Sequence, residues 1–490
     1  MVRKQDGSNK RPQKTPVFKR TIGVGKTTLF ITAAQNGTPV HKKALAAAEQ
    51  FCNHRNAELL VVPIRYKNPT SNWSKSQENA EVWDSALVPY LVNQRMRLNK
   101  NLTLLADIKT QATSPNPLSG FDAITHAESG ILAHTKLELR TVATPQHRYP
   151  KILTTTGAIT KANYTDTKAG KLGEFHHYLG GAIVELEGNK FHLRQAGFDK
   201  KDGSFFDLDT IYGTAWNAMP YSGMDLAALN MGDTHVGFTD PRVDKAIFGP
   251  GGIVEILKPQ RLFWHDLFDG YSVNRHHRKA RDPFIAAAMW KGGRMDVEGE
   301  VERSIAHLFE RTTDGRISYV VASNHHDFLR DWVVSGVGAQ DPRNKGFYHR
   351  LAAMMYDGAK MMPWGAWYPD PYIYCVEQAV AKAGRTDIKC LREDESCVVL
   401  GIENGMHGHF GPNGARGSRR NLARIGTKSI IEHNHSPGIY EGCWQGGTST
   451  HRLAEYTHGP SSWLNSMVGI YNSGKRVLLN VINRSWRRES

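Results

Sequence analysis

Five short clusters of His, Asp and Asn constrain this 490-residue chain more than any other feature. They are Gly232-Asp233-Thr234-His235, His265-Asp266-Leu267-Phe268-Asp269-Gly270, Ser323-Asn324-His325-His326-Asp327, Met406-His407-Gly408-His409 and Glu432-His433-Asn434-His435. Each falls at or shortly after a run rich in strand formers: Met224–Met231, Gln260–Trp264, Ile317–Ala322, Cys397–Ile402 and Lys428–Ile431. Open α/β sheets collect sites outside the carboxyl ends of their strands, so this order predicts several loops converging on one point. Alone, each cluster has an ordinary explanation. Asp266 and Asp269 would suit a helix N-cap and its first turn, and His407/His409 or His433/His435 would suit a surface strand. Five such clusters in order, each behind a strand, point to one shared site.

The donor set is chemically coherent. Imidazole, carboxylate and an amide oxygen suit Mn2+, Fe2+, Zn2+ or Ni2+, with no thiolate involved. Two metals that share a carboxylate can stabilise both the attacking and the leaving oxygen of an in-line displacement at phosphorus. The five cysteines are odd in number and lack C-x-x-C spacing, which argues against a disulfide framework and fits a reducing cytoplasm. No apolar run of transmembrane length is present, and residues 1–20 lack a secretory apolar segment, so no membrane partner is expected.

Elsewhere the chain reads as α/β. Residues 1–27 form an expected basic, flexible tail. Gly23-Val24-Gly25-Lys26-Thr27-Thr28 superficially suggests a P-loop, but Arg20 stands where the motif needs glycine, and Leu29-Phe30-Ile31-Thr32 reads as a strand where a helix must follow. Thr28–Ala33, Lys42–Cys52 and Leu59–Ile64 read as a β-α-β unit. Leu102–Asp107 and Leu137–Val142 read as strands, with a helix near Asp122–Leu132 between them. Gly180–Leu193 reads as a hairpin turning at Glu187-Gly188-Asn189. Val301–Arg311 has the apolar period of an amphipathic helix. The expected division is an N-terminal α/β domain over 28–178 and a second domain over 179–490.

The order Asp-x-His, Asp-x-x-Asp, Asn-His, His-Gly-His, His-x-His over roughly residues 224–450 resembles that of the calcineurin-like metallophosphoesterase superfamily. The resemblance implies that the second domain is a two-sheet β-sandwich flanked by helices. It implies two divalent ions, manganese first, with magnesium, iron or zinc as alternatives. Asp233 and His235 resemble ligands of the first metal, Asp266 the bridging carboxylate, Asn324 a ligand of the second, and His407 the ligand of the fourth cluster. His433 resembles a further ligand of the second metal and His435 of the first, while His325 resembles the catalytic histidine beside the scissile phosphate. Three positions depart from the pattern: His265, Ser323 and Glu432 each replace a glycine. His326 also stands where an acid would orient the catalytic histidine. Two placements therefore stay open: Asp327 takes the orienting role, or His326 is itself the catalyst.

Within the superfamily, Asp266-Leu267-Phe268-Asp269 resembles the matching block of the SbcD-type DNA nucleases. The stretches His407–Ser418, His433–Ile439 and Gly447–Ser449 resemble large bacteriophage proteins of this class, which include an early DNase that destroys host DNA. The expected activity is therefore metal-dependent hydrolysis of DNA phosphodiesters, with action in the host cytoplasm. The charge agrees: Lys and Arg total 62 against 47 Asp and Glu, a net +15, and a chain this basic tends to meet polyanions. Arg416, Arg419 and Arg420 lie between the fourth and fifth clusters, and Arg275 and Arg278 follow the second, so both runs are tethered beside the site as expected DNA contacts. Trp364-Gly365-Ala366-Trp367-Tyr368 would suit base stacking or, more simply, core or an oligomer contact, and a homo-oligomer is the expected state. Two alternatives remain at this level. One is a phosphatase or phosphodiesterase with a small substrate. The other is a non-catalytic DNA-binding or DNA-transfer protein.

Overall fold

The computed structural model describes residues 17–65, 81–145, 147–213, 220–274, 283–313, 315–361, 369–453 and 457–488. Arg275, Arg278 and the 364–368 aromatic run lie outside the described residues, as does most of the basic tail. The fold is mixed α/β with several sheets. No helix among the described residues is long and apolar enough to cross a membrane.

A six-stranded sheet positions the first three clusters. Its order is Ile388–Leu391, Ile317–Val321, Arg261–Trp264, Leu226–Asn230, Ser466–Tyr471 and Arg476–Asn480. The first four strands run parallel and the last two are antiparallel. The sheet's two central strands, Leu226–Asn230 and Arg261–Trp264, are short apolar runs buried on both faces apart from Arg261, as covered parallel sheets require. One face carries Leu229, Leu262, Trp264 and Val320 against the helices Pro241–Phe248, Val297–Arg311, His326–Val334 and Pro371–Lys382. The other face, with Ala228, Phe263, Val321 and Val468, packs on a ten-stranded sheet through Ile131, Leu139, Ile430 and Trp444.

The domain boundary expected at 178 cuts through this architecture. The hairpin Gly180–Glu187/Lys190–Gly197 turns where expected, but it pairs antiparallel with Thr28–Gln35, which is itself parallel to Glu58–Ile64. In the ten-stranded sheet Glu138–Val142 lies against Gly438–Tyr440, joining strands from both expected domains. Such pairings are set by which apolar faces can be buried together, and no local signal reports them.

Two local readings also differ. The expected helix near Asp122–Leu132 is a series of turns followed by the strand Ser129–Leu132, drawn into parallel pairing with Leu102–Leu104 and Lys151–Thr155. The run Cys397–Ile402 is broken by a turn at Leu400-Gly401, both at positive φ (50° and 76°), so it forms a two-residue hairpin between Val398–Val399 and Ile402–Glu403. Residues 23–26 form a turn ahead of a strand and not a helix, consistent with rejecting the P-loop.

Candidate metal centre

The carboxyl ends of three parallel strands deliver Asp233, Asp266 and Asn324 to one place. The ten-stranded sheet delivers the rest: His407 follows Ile402–Glu403, and His433 and His435 follow Lys428–Ile431. The two loops of the second group are tied together where Glu432 N–H donates to the His407 carbonyl at 2.8 Å. Asp233 pairs with Thr448 in an isolated parallel bridge. The backbones approach so closely there that a Cβ on Gly232 would lie 2.7 Å from the Ser466 carbonyl oxygen, which explains the glycine before Asp233.

Asp233, His235, Asp266 and His435 are all buried and present ligand atoms within 4.8 Å of one another. His435 Nε2 lies 3.2 Å from Asp233 Oδ2 and 3.1 Å from His235 Nε2. The Asp266 carboxylate stands between this set and a second. Its Oδ2 is 3.6 Å from His235 Nε2 on one side and 3.4 Å from His407 Nε2 on the other. His407 Nε2 in turn lies 3.0 Å from Asn324 Oδ1, and its ring centroid is 5.2 Å from that of His433. All seven expected ligands thus come together.

Three observations test whether a metal fits. Both carboxylate oxygens of Asp233 and Oδ1 of Asp266 are buried without a hydrogen bond, a condition that ordinarily costs about 1–3 kcal/mol per atom and more for charged groups. The two carboxylates are also driven apart in proton affinity. Burial and the charge of Asp266 hold Asp233 well above the usual carboxylate range. Burial pushes Asp266 up as well, but His325 and His407 outweigh it and hold that group well below the range. Finally, four of the seven residues adopt left-handed backbone conformations: His235 at φ 46°, Asp266 at 42°, His433 at 75° and His435 at 54°. Non-glycine residues seldom adopt these angles, and strain of this kind gathers at functional sites. Oxygen and imidazole donors converging on strained loops, with three carboxylate oxygens left without hydrogen bonds, fit divalent cations.

Several contributors were not assigned from the sequence. Asp269 Oδ1 lies 2.8 Å from His235 Nδ1, a carboxylate–imidazole contact on the ring nitrogen opposite the Nε2 that meets the other ligands; metal-binding histidines commonly set their second nitrogen against a carboxylate. The Asp-x-x-Asp spacing was the available signal. His265 is fully buried with Nδ1 3.4 Å from His407 Nδ1, and burial pushes its pKa down to about 4, so it braces His407 as a neutral ring. Glu432 is fully buried without a hydrogen bond to its carboxylate, and burial together with Asp233 raises its pKa well above the ordinary value. Both residues were visible only as departures from a glycine pattern. Trp463 packs edge-on to His435 with centroids 4.2 Å apart, and nothing in the sequence indicated it.

The histidine pair resolves geometrically. His325 sits at the start of the helix His326–Val334, with Nδ1 2.5 Å from the Asp269 carbonyl and Nε2 3.9 Å from Asp266 Oδ2. His326 turns the other way: its Nδ1 is 2.6 Å from Asp370 Oδ2 and its ring packs on Tyr372. The expected orienting role of Asp327 therefore falls to the backbone of Asp269. Asp327 stands in the first turn of the helix that begins at His326, where burial raises its carboxyl above the ordinary range.

Among the expected DNA contacts, Arg416 is exposed, and its charge is one of the influences that lower the pKa of His433, after burial. Arg420 is also exposed, with its guanidinium over the Tyr440 ring at 5.1 Å. Arg419 corrects the expectation. Its Nη1 donates to the Ser436 carbonyl at 2.6 Å, and the guanidinium packs so tightly on Gly438 that a Cβ there would meet Cζ at 2.5 Å. It holds the loop together and is not available to a phosphate.

Fold and site together define a mixed α/β protein with a buried His/Asp cluster able to hold metal. Over 98% of its length the chain is 30% identical to protein A1 of Escherichia phage T5, covering 87% of that protein, and it belongs to the family of that phage protein. No family model matches. Among solved structures, Chaetomium thermophilum Vps29, alone and with a cyclic peptide, is similar at 10% identity. TM-scores are 0.22 and 0.23, covering 41% and 40% of this chain and 100% and 97% of the Vps29 chains, a likeness too slight to carry any argument.

Proposed function

We propose that this chain is a two-metal phosphodiesterase of the calcineurin-like kind whose substrate is DNA. The observation that carries the reading is the position of Asp266, whose one carboxylate faces His235 on one side and His407 on the other. Asp233, His235 and His435 would hold the first ion, Asn324, His407 and His433 the second, and Asp266 both. Such a pair of ions supplies charge neutralisation for the attacking and leaving oxygens of a phosphodiester.

The chain's own residues do the remainder. His325 must carry its proton on Nδ1, because that atom faces a carbonyl oxygen. Its Nε2 then accepts when the ring is neutral and donates when the ring holds a second proton, which suits contact with a phosphoryl oxygen or protonation of the leaving 3′-oxygen. Asp269 fixes both rings, His235 by its carboxylate and His325 by its carbonyl. The net +15 charge and exposed Arg416 beside His433 support a polyanionic substrate over a small one.

Purified protein loaded with Mn2+ should nick circular DNA and bind two ions per chain. Hydrolysis of a small chromogenic diester without DNA cleavage would move the reading to a small substrate. At most one bound ion would remove the two-metal mechanism.

A further inference from the structure

Away from the metal centre, two basic clefts adjoin. The first, about 780 Å3, lies between the turn region 124–129, residues 147–152 and the hairpin tip at 189–191. The second, about 600 Å3, lies between Arg242, Arg452 and Arg484. They share His147, Tyr149 and Asn483, so they form one path. Tyr149 is fixed at the junction: its hydroxyl donates to Asn483 Oδ1 at 2.8 Å, and Arg452 stacks over its ring at 3.9 Å.

Lys151 is the informative residue. It lines the first cleft, is only 6% exposed, and directs Nζ to the backbone carbonyls of Asp122 and His126, the latter at 2.7 Å. The Asp122 carboxylate is engaged by Arg140 at 2.9 Å. The Asp122 charge, which Arg140 shares, offsets this buried ammonium in part, and Nζ keeps a third donor that an anion would complete. Exposed Lys100, Arg148 and Arg484 line the same path, and none of them forms an ion pair with a described carboxylate. Arg95 and Arg97 line it too but are engaged by Asp107 and Glu128. Phe191 and Ile124 add apolar surface to the same lining. Phosphate-binding cations beside ring and aliphatic surface suit an unpaired strand, whose bases are free to stack.

Each cleft is tied to the loops of the metal centre by a hydrogen bond. Leu464 lines the first cleft and Asn465 the second. Leu464 N–H donates to the His435 carbonyl at 3.1 Å, and Asn465 Nδ2 donates to the Thr448 carbonyl at 3.0 Å. We infer that the two clefts bind an unpaired nucleic-acid strand beside the metal centre, with Lys151 anchoring a phosphate. This rests on the reading that the substrate is DNA.

The test is anisotropy of a labelled oligodeoxythymidylate on full-length protein in EDTA, so that nothing is cut, with the matching duplex and thymidine monophosphate alongside. The triple variant Lys100→Ser/Arg148→Ser/Arg484→Ser should bind the single strand at least ~tenfold more weakly. Its slope of log affinity against log salt should fall by about 2, at ~0.7 per lost phosphate contact. Lys151→Met should weaken single-strand binding several-fold. If it does not fold, the triple variant decides alone, since its changes are exposed. A triple variant with the parent's melting temperature, affinity and salt slope overturns the inference. So does an equal loss of duplex binding, or monophosphate binding as tight as the oligomer's. If the parent binds no DNA yet hydrolyses a small diester with Mn2+, the groove and the DNA substrate both fall while the metal-centre reading stands.

Discussion

Both halves of this chain bury histidines, and they treat them differently. In the N-terminal half His134 Nε2 lies 2.8 Å from the Gln111 carbonyl, and His177 is held between the Tyr164 hydroxyl and the Thr160 carbonyl at 3.0 and 3.1 Å. Arg194 is likewise clasped between Glu185 and Asp207. At the strand ends near Asp233, by contrast, both Asp233 oxygens and Asp266 Oδ1 lack hydrogen bonds, and the imidazoles that face them include three on left-handed backbones. His192 marks the limit of the contrast: both its nitrogens are buried without a hydrogen bond, yet it belongs to no converging set of ligands. Burial of a histidine is therefore uninformative by itself. What distinguishes a site is several unsatisfied donors aimed at one point.

The strongest way to break this comparison is Asp266→Ala against His134→Ala. The first should abolish metal binding and lower turnover by several powers of ten. The second should lower the melting temperature by several degrees and leave metal content intact. Elemental analysis and calorimetry read both, and metal loss in His134→Ala would mean that the halves are not separable.

His325→Ala should keep both ions and lose ~10^2–10^4 in turnover. His326→Ala should cost less turnover but more stability, since its ring packs in the core beside Tyr372 and pairs with Asp370. The opposite ranking would transfer the catalytic role to His326. A smaller effect is expected of Asp269→Asn, which weakens the hold on His235 Nδ1: metal affinity should drop ~10–100-fold, and unchanged affinity would remove Asp269 from the centre.

Acid should separate the regions further. Burial pushes His134 and His177 down to about 4. Between about 4 and the ordinary value of 6.5 the unfolded chain therefore binds protons that the folded chain does not. Their contribution is complete above the ordinary value and lost as pH falls through that window, on the order of 3 kcal/mol each at most. The melting temperature of the metal-free protein should decline across it, and a His134→Gln/His177→Gln variant should decline less steeply. The smallest contrast lies within one loop. Arg416→Glu should weaken DNA binding with little change in melting temperature, whereas Arg419→Ala should lower stability by losing its bond to the Ser436 carbonyl. Equal DNA defects in two folded variants would restore Arg419 as a contact.

The seven candidate ligands, which the fold brings together, were legible because metal chemistry needs particular residue types, and because strands end where their apolar runs end. Four of the five strands that carry them were legible for the same reason, since a buried parallel strand is a short continuous apolar run, whereas the run expected over Cys397–Ile402 folds back on itself at Leu400-Gly401. The partners of those strands were not. Thr28–Gln35 accepts the hairpin Gly180–Gly197, and Glu138–Val142 accepts Gly438–Tyr440, through contacts hundreds of residues apart in the second case. The helix expected near 122–132 gave way to a strand for the same reason: pairing on both sides outweighs a local preference. The chain by itself determined which atoms could bind metal. Only the tertiary structure decided that His325 faces the centre while His326 turns to Asp370, and that Arg419 turns inward while Arg416 stays in solvent. It likewise buried Lys151 against two carbonyls. Side-chain direction depends on neighbours brought from distant sequence, and no spacing rule encodes them.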